Sequence, residues 1–363
     1  MPSDNYNPER EEQDDYKRER DFVDEFISAH PHKIAAGTPH PAVIYVTGEQ
    51  LREFVMEDPE WIAKHATKHH PVVVTTPADL SYTSVTHLSP FISFRGIEWE
   101  DKFRVNLGHY QCCSLEGCKE LRVFQGTFHG LVKATFAGFE TIDTPNLKIF
   151  EVSPNQPATD LACCPNLKVA RGRFPKGVNF HDSRIKEIDT DPETGLIIEE
   201  YDNDKVAAYF DHCEDLKVLV GLYPGKGIAD NSGVETLAYN EKRPHDPTQN
   251  LIITKWDDDG EGLSLERCKK LKVVNLMINS SVFLEESGVE RIETLKLDPI
   301  YNPDHPKIKL KHCKNLYRIP KEFVESPQIE MDEKTRERVK NTALLEEEAR
   351  QKLRANKEGI LEI

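Results

Sequence analysis

Apolar positions recur through the middle of the chain in one frame: an apolar residue, two free positions, Cys, two free positions, Leu, and another apolar residue three further on. The copies are LEGCKELRVF (115–124), LACCPNLKVA (161–170), FDHCEDLKVL (210–219), LERCKKLKVV (265–274) and LKHCKNLYRI (310–319). Leu121, Leu167, Leu216, Leu271 and Leu316 each stand three after the Cys. With Leu filling roughly a tenth of positions, five such coincidences have a probability on the order of 10⁻⁵, so the frame is a repeat. A second frame lies between the Cys copies. Phe139, Ile185, Val234 and Val289 fall 18 residues after the framing Leu and are followed three on by Ile142, Ile188, Leu237 and Ile292. Two of these copies read Ser-Gly-Val-Glu, at 232–235 and 287–290. A Cys-type unit thus alternates with a Gly-Val-type unit. The longer intervals contain insertions, most clearly Asp189 to Tyr201 and Glu241 to Gly262.

A unit of about 20 residues cannot bury its own apolar face, so successive units must stack and share one core. The pattern therefore predicts an α/β repeat solenoid over 86–320, with the framing Leu, Cys and Val inward and the free positions facing solvent. A Cys at a recurring inward position acts as a small hydrophobe carrying a weak thiol donor. Five of the eight Cys share that register, which argues for buried, reduced thiols and a reducing compartment.

The flanks read differently. Val43 to Val46 predicts a short strand, and Thr47-Gly48-Glu49-Gln50 is a capping box that starts a helix with Leu51, Phe54 and Val55 on one face. Asp58-Pro59 signals a second helix start, running through Trp61, Ile62 and Ala66. Val72 to Val74 returns to strand, so 42–85 reads as a small α/β N-terminal cap. After Ser326-Pro327 the segment 321–363 reads as a charged C-terminal helix. There Leu345, Ala349 and Leu353 recur every four residues, and Glu346 can pair with Arg350 and Glu348 with Lys352. Residues 1–41 read as a disordered acidic tail and linker, because the first 21 hold eight acids and four bases with no apolar pattern.

The segments CCPNLKVA and CEDLKVL resemble the stretch leading into the strand of leucine-rich repeats, especially the Cys-containing kind. The Gly-Val units are similar to the short irregular repeats of the BspA-like group. The resemblance spans roughly 110–320 and implies a curved solenoid, a strand in each turn and a concave sheet used for protein recognition. The usual Asn of the second half of the repeat does not stand at a fixed offset. Gly126, Gly172 and Gly221 stand eight residues after three of the Cys, where an apolar strand residue is common.

Charge narrows the partners. A net charge of −16 repels phosphate backbones and anionic lipid alike, which excludes nucleic acid and leaves a protein partner with a basic surface. No apolar run reaches membrane-spanning length and the start carries no signal peptide, so a cytoplasmic protein is expected. The ending LLEEEARQKLRANKEGILEI resembles the acidic C-terminal secretion signals of some bacterial effectors delivered into a host cell cytosol, and also reads as an ordinary solvated helix.

Candidate chemistry is sparse. His65 and His69 have the i, i+4 spacing of two metal ligands but lack the Glu of an HExxH helix. His212-Cys213 and His312-Cys313, read on strands, point to opposite faces and cannot form one site. Cys112-Cys113 and Cys163-Cys164 lack the spacing that zinc favours. Asp257, Asp259, Gly260 and Glu266 fit four places of a calcium loop whose first place is Lys255. The expectation is therefore no catalytic residue, cofactor or metal, and binding through the free positions after each framing Leu: Gln125, Arg171, Val220 and Asn275. The alternative, a β-solenoid enzyme acting on polysaccharide, needs carboxylates clustered on one face, whereas the acids here crowd the tails and insertions.

Overall fold

The computed structural model describes residues 43–95, 111–150, 158–202, 204–238, 246, 249–253, 261–278, 280–297 and 308–357. The expected tail over 1–41 and three of the calcium-loop residues, Asp257, Asp259 and Gly260, lie outside them. The architecture is mostly parallel β-strand with few helices. Among the described residues, eleven strands pair in parallel into one long sheet, in chain order. It runs from Ala78–Asp79 through Gln111–Ser114, Leu131–Lys133, Thr159–Asp160, Val178–Asn179, Val206–Tyr209, Lys226–Ile228, Glu261–Ser264, Ser281–Phe283 and Ile308–Lys309 to Ile329–Glu330.

After most of these strands the chain crosses to a second set of parallel strands. This set includes Ile92–Phe94, Val123–His129, Thr141–Phe150, Gly172–Phe174, Gly221–Tyr223 and Val273–Ile278. One hydrophobic cluster lies between the two sets and includes residues from Val46 to Val339. The framing residues supply it: Leu121, Leu167, Leu216, Leu271 and Leu316 are fully buried, as are Phe139, Ile185, Val234 and Val289. Phe180 and Phe210 on neighbouring turns stack with ring centroids 5.5 Å apart, extending the same core.

Each turn leaving the long sheet contains one residue in the left-handed backbone region: Tyr82, Gly117, Phe136, Cys163, Asp182, His212, Asn231, Arg267, Glu286 and His312, with φ between 54° and 67°. Nine of the ten carry a side chain, which this conformation disfavours. The strain is offset by a backbone hydrogen bond to the next turn, as from Tyr82 N to Glu116 O at 2.7 Å, Asp182 N to Asp211 O at 2.9 Å and His212 N to Asp230 O at 2.9 Å. The residue that follows points inward and is small: Thr83, Cys118, Ala137, Cys164, Ser183, Cys213, Ser232, Cys268, Ser287 and Cys313. All five thiols donate back to a backbone carbonyl of the preceding turn. The acceptors are Leu80 (3.0 Å), Ala134 (3.3 Å), Phe180 (3.1 Å), Ala229 (3.1 Å) and Leu284 (2.9 Å). Cysteine recurs here because it fills an apolar site and still satisfies a buried acceptor.

The glycine of the Gly-Val units has a separate cause. Gly138, Gly233 and Gly288 donate from N to the carbonyls of Cys118, Cys213 and Cys268 at 3.0 Å. A Cβ at these positions would fall 1.9–2.1 Å from a carbonyl oxygen of the preceding turn. Where a side chain occupies the place, at Arg184, the corresponding bond to Cys164 stretches to 3.4 Å.

The predicted helices form with shifted ends. Helix α1, Gly48–Glu57, begins at the Thr47–Gln50 capping box and buries Leu51 and Val55. Helix α2, Trp61–His65, closes at Ala66, so His65 and His69 do not share a helix; His65 Nδ1 instead meets Trp61 O at 2.8 Å. Helix α3, Glu333–Lys357, seals the last turn. Asp332 receives the left-handed amide of His312 at 2.8 Å and the amide of Thr335 at 3.0 Å. Arg338 donates to the carbonyls of Cys313, Lys314 and Leu316. The insertions also differ from plain loops, because Leu196–Ile198 and Leu251–Ile253 each add a parallel strand to the second set. No helix among the described residues is long and apolar enough to cross a membrane.

Replacing Gly288 by Ala should destabilise the protein by about 1–3 kcal/mol in urea denaturation, through forced separation of two turns. Burial alone would raise the Asp332 carboxyl, but the amides and hydroxyl around it hold it at about 2. Its contribution is therefore present above the ordinary carboxylate range and lost as pH falls through about 2. Asp332→Ala should cost about 0.5–2 kcal/mol at neutral pH, with the difference from the parent vanishing in acid-unfolding curves near that value.

Candidate functional site

Two solvent-facing strips run along the strand sets. On the second set, the positions named from sequence stand four residues after the framing Leu, each on its own turn; Gln125 and Asn275 lie within strands, and Arg171 and Val220 between two short ones. Gln125, Arg171, Val220 and Asn275 are all half-buried. Gln125 spends its amide on Leu88 O. Arg171 pairs with Asp189 at 3.6 Å. Val220 leans on the core, and its carbonyl accepts the Tyr223 hydroxyl at 2.9 Å. The pairing shifts register between Phe124 and Gly126 and between Val274 and Asn275. Gly126, Gly172 and Gly221 have φ of 117–119°, a backbone that glycine alone adopts readily.

Two residues beyond three of the named positions stand Thr127, Arg173 and Leu222, of which Arg173 and Leu222 are exposed. Thr127 pairs with Lys148, Arg173 with Ile197 and Leu222 with Ile252. The strand Leu196–Ile198 packs beside Gly221–Tyr223, so Ile197, Leu222 and Ile252 form an aliphatic strip in which Leu222 is 47% exposed. Arg173 flanks it, bonded to Glu199 at 2.5 Å. Sequence reasoning missed this strip because two of its members lie in segments read as loops.

The other strip follows the left-handed turns at the edge of the long sheet. Asp160, Asp211, Asp230 and Glu266 come together here from separate turns, although the sequence suggested that acids crowd the tails and insertions. Asp211 accepts the Asp230 amide at 3.2 Å, and Asp230 accepts the Ser264 hydroxyl and the Glu266 amide, both at 2.7 Å. Burial raises the Asp160 and Asp211 carboxyls, with repulsion from Asp230 adding to the effect at Asp211. Burial also raises Glu266, followed by repulsion from Asp230 and Glu285.

Between these acids His181, Asp182 and His212 converge, with one ligand-capable atom from each lying within 4.8 Å of the others. The sequence expectation placed His212 on a strand; it lies in a turn at φ 56° while Cys213 is fully buried. The pair is indeed split between inside and outside, but His212 gains partners from the turn before it. Overlaying the two repeat frames would have shown this, since Phe-His-Asp-Ser (180–183) and Phe-Asp-His-Cys (210–213) place their polar residues in the same slots. Burial pushes the Cys213 thiol up to about 12 and Cys268 to about 11, which makes them inert at neutral pH.

No family profile, curated protein or solved structure matches the chain. Function must therefore be argued from its own two strips.

A Glu266→Gln variant removes a charge held in a partly buried, acid-lined place. A raised carboxyl favours the protonated fold at low pH, and that advantage is lost as pH rises through its folded value. The variant should therefore gain up to about 1 kcal/mol at pH 7 by thermal unfolding, with the gain shrinking on acidification.

Proposed function

We infer that the chain is a protein-binding module: a repeat solenoid of the leucine-rich-repeat kind that grips a partner through the outward row of its second strand set. The observation behind this reading is the strip formed by Ile197, Leu222 and Ile252. It sets aliphatic side chains on parallel strands whose backbones are already paired, so little ordering entropy is lost on docking. Charge sets the partner class. With 63 acids against 47 bases in the chain, and Glu187, Glu193 and Glu199 exposed along the flanking segments, the fitting partner is a protein with an apolar patch rimmed by Lys or Arg. Gln125, Arg171, Val220 and Asn275, half-buried on their own turns, are further contact positions on this face. Work in a cytosol, the cell's own or that of a host reached through the Glu-rich ending, agrees with the reduced thiols. The exposed Leu344, Leu345 and Leu353 of α3 would serve that ending as readily as a solvated helix.

A second reading, hydrolysis of a polysaccharide, is favoured by the row Asp160, Asp211, Asp230 and Glu266, because paired carboxylates are what glycoside cleavage uses. Turnover on a polysaccharide panel that is lost in Asp230→Asn would establish it over the binding reading.

The partner captured from a eukaryotic lysate under reducing conditions should bind Leu222→Asp at least tenfold more weakly, while Tm stays within a few degrees of the parent. Arg171→Glu and Asn275→Trp should weaken the same complex by smaller factors. Unchanged affinity in all three would reject this face as the binding surface.

A further inference from the structure

We propose that His181, Asp182 and His212 form a surface site for a divalent transition-metal ion of the zinc class, clipping together the two turns that flank the first insertion. The argument starts from the backbone. Asp182 and His212 occupy the left-handed position of successive turns, at φ 55° and 56°, and each is anchored by its own amide to the next turn at 2.9 Å. Such an anchored turn fixes the Cα–Cβ direction, so both side chains are aimed along the same edge. His181, one residue earlier, is held by its amide on Asn179 Oδ1 at 2.9 Å.

The side-chain geometry suits a small ion. His181 Nε2 and Asp182 Oδ2 are 3.2 Å apart. Two ligands 2.0–2.1 Å from a tetrahedral zinc would stand about 3.3 Å apart, so that edge is already formed. His212 brings its ring to 5.1 Å from that of His181, turned 73°. Its ligand-capable nitrogen lies within 4.8 Å of the other two ligand atoms, and binding would draw that edge in by a side-chain rotation. Imidazole nitrogen twice with one carboxylate is a borderline donor set, suited to zinc and its neighbours rather than to calcium or magnesium. Asp160 and Asp211 flank His181 from the neighbouring turns, near enough to act on it electrostatically, which concentrates cations at the site. With three protein ligands, a fourth position stays open to water.

An ion here would bridge residues 182 and 212 and so close the chain around the insertion that contains Leu196–Ile198. The ordinary alternative is a polar contact between His181 and Asp182 with the His212 ring set edge-on against His181, needing no metal. The two differ in stoichiometric binding.

The test is titration of the full chain, kept reduced and freed of metal, with Zn²⁺ against a chromophoric chelator, alongside thermal unfolding with and without the ion. One equivalent should bind and Tm should rise. His181→Gln and His212→Asn, the latter chosen because Asn tolerates the left-handed turn, should each weaken binding at least tenfold and abolish the Tm rise while leaving metal-free Tm near the parent value. Cys163→Ser controls for the thiol at the preceding turn and should bind as the parent does. Absence of stoichiometric binding by the parent, undiminished binding in both histidine variants, or an equal loss in Cys163→Ser would overturn the assignment. None of these outcomes depends on whether the aliphatic strip binds a protein.

Discussion

Everything in this molecule depends on a corner that no single turn can complete. Among the described residues, ten turns leaving the long sheet place a residue in the left-handed region, and nine of those residues carry a side chain. Each would cost of order 1 kcal/mol or more if left alone. The corner persists because its amide finds a carbonyl on the next turn, while the thiol or hydroxyl beside it often reaches back to the previous one. Bonds run both ways along the stack, so each turn is completed by its neighbours. This is the near-neighbour coupling that makes stacked repeats cooperative.

That dependence explains the ends of the array. Beyond the last corner, at His312, the next strand Ile329–Glu330 leads into helix α3, and Asp332 supplies a carboxylate where the other corners meet a carbonyl. Arg338 does the converse for the carbonyls of Cys313, Lys314 and Leu316. One short segment at the start of α3 therefore reproduces both halves of the hydrogen-bonding a further repeat would give. Helix α3 is polar over most of its length because its structural role is confined to its first turns, where Thr335 and Val339 are buried.

The repeat frame was legible in the sequence because burial demands Leu, Cys and Val at set intervals and tolerates little else. The capping box at Thr47 was legible for the same reason of local necessity. The corners were mostly hidden: only Gly117, Asp182 and Asn231 carry residue types that visit positive φ readily, and the others owe their conformation to bonds between turns. The strands Leu196–Ile198 and Leu251–Ile253 were hidden as well, being short runs inside polar insertions that acquire strand geometry only by pairing with an existing edge. Both candidate strips suffered from this. The aliphatic row needed the positive-φ glycines Gly172 and Gly221 and the strands added by the insertions to be placed, and the histidine cluster joins residues 30 apart through one corner geometry.

The thiol spine has a practical consequence. Five cysteines sit at equivalent depth, one per Cys-type unit, each held to the turn before it, whereas Cys163 alone among the eight is partly accessible. A thiol-specific reagent can therefore reach the five only when the local stack parts. Labelling followed site by site would act as a set of evenly spaced gauges, reporting how often each stretch of the array opens without unfolding the whole.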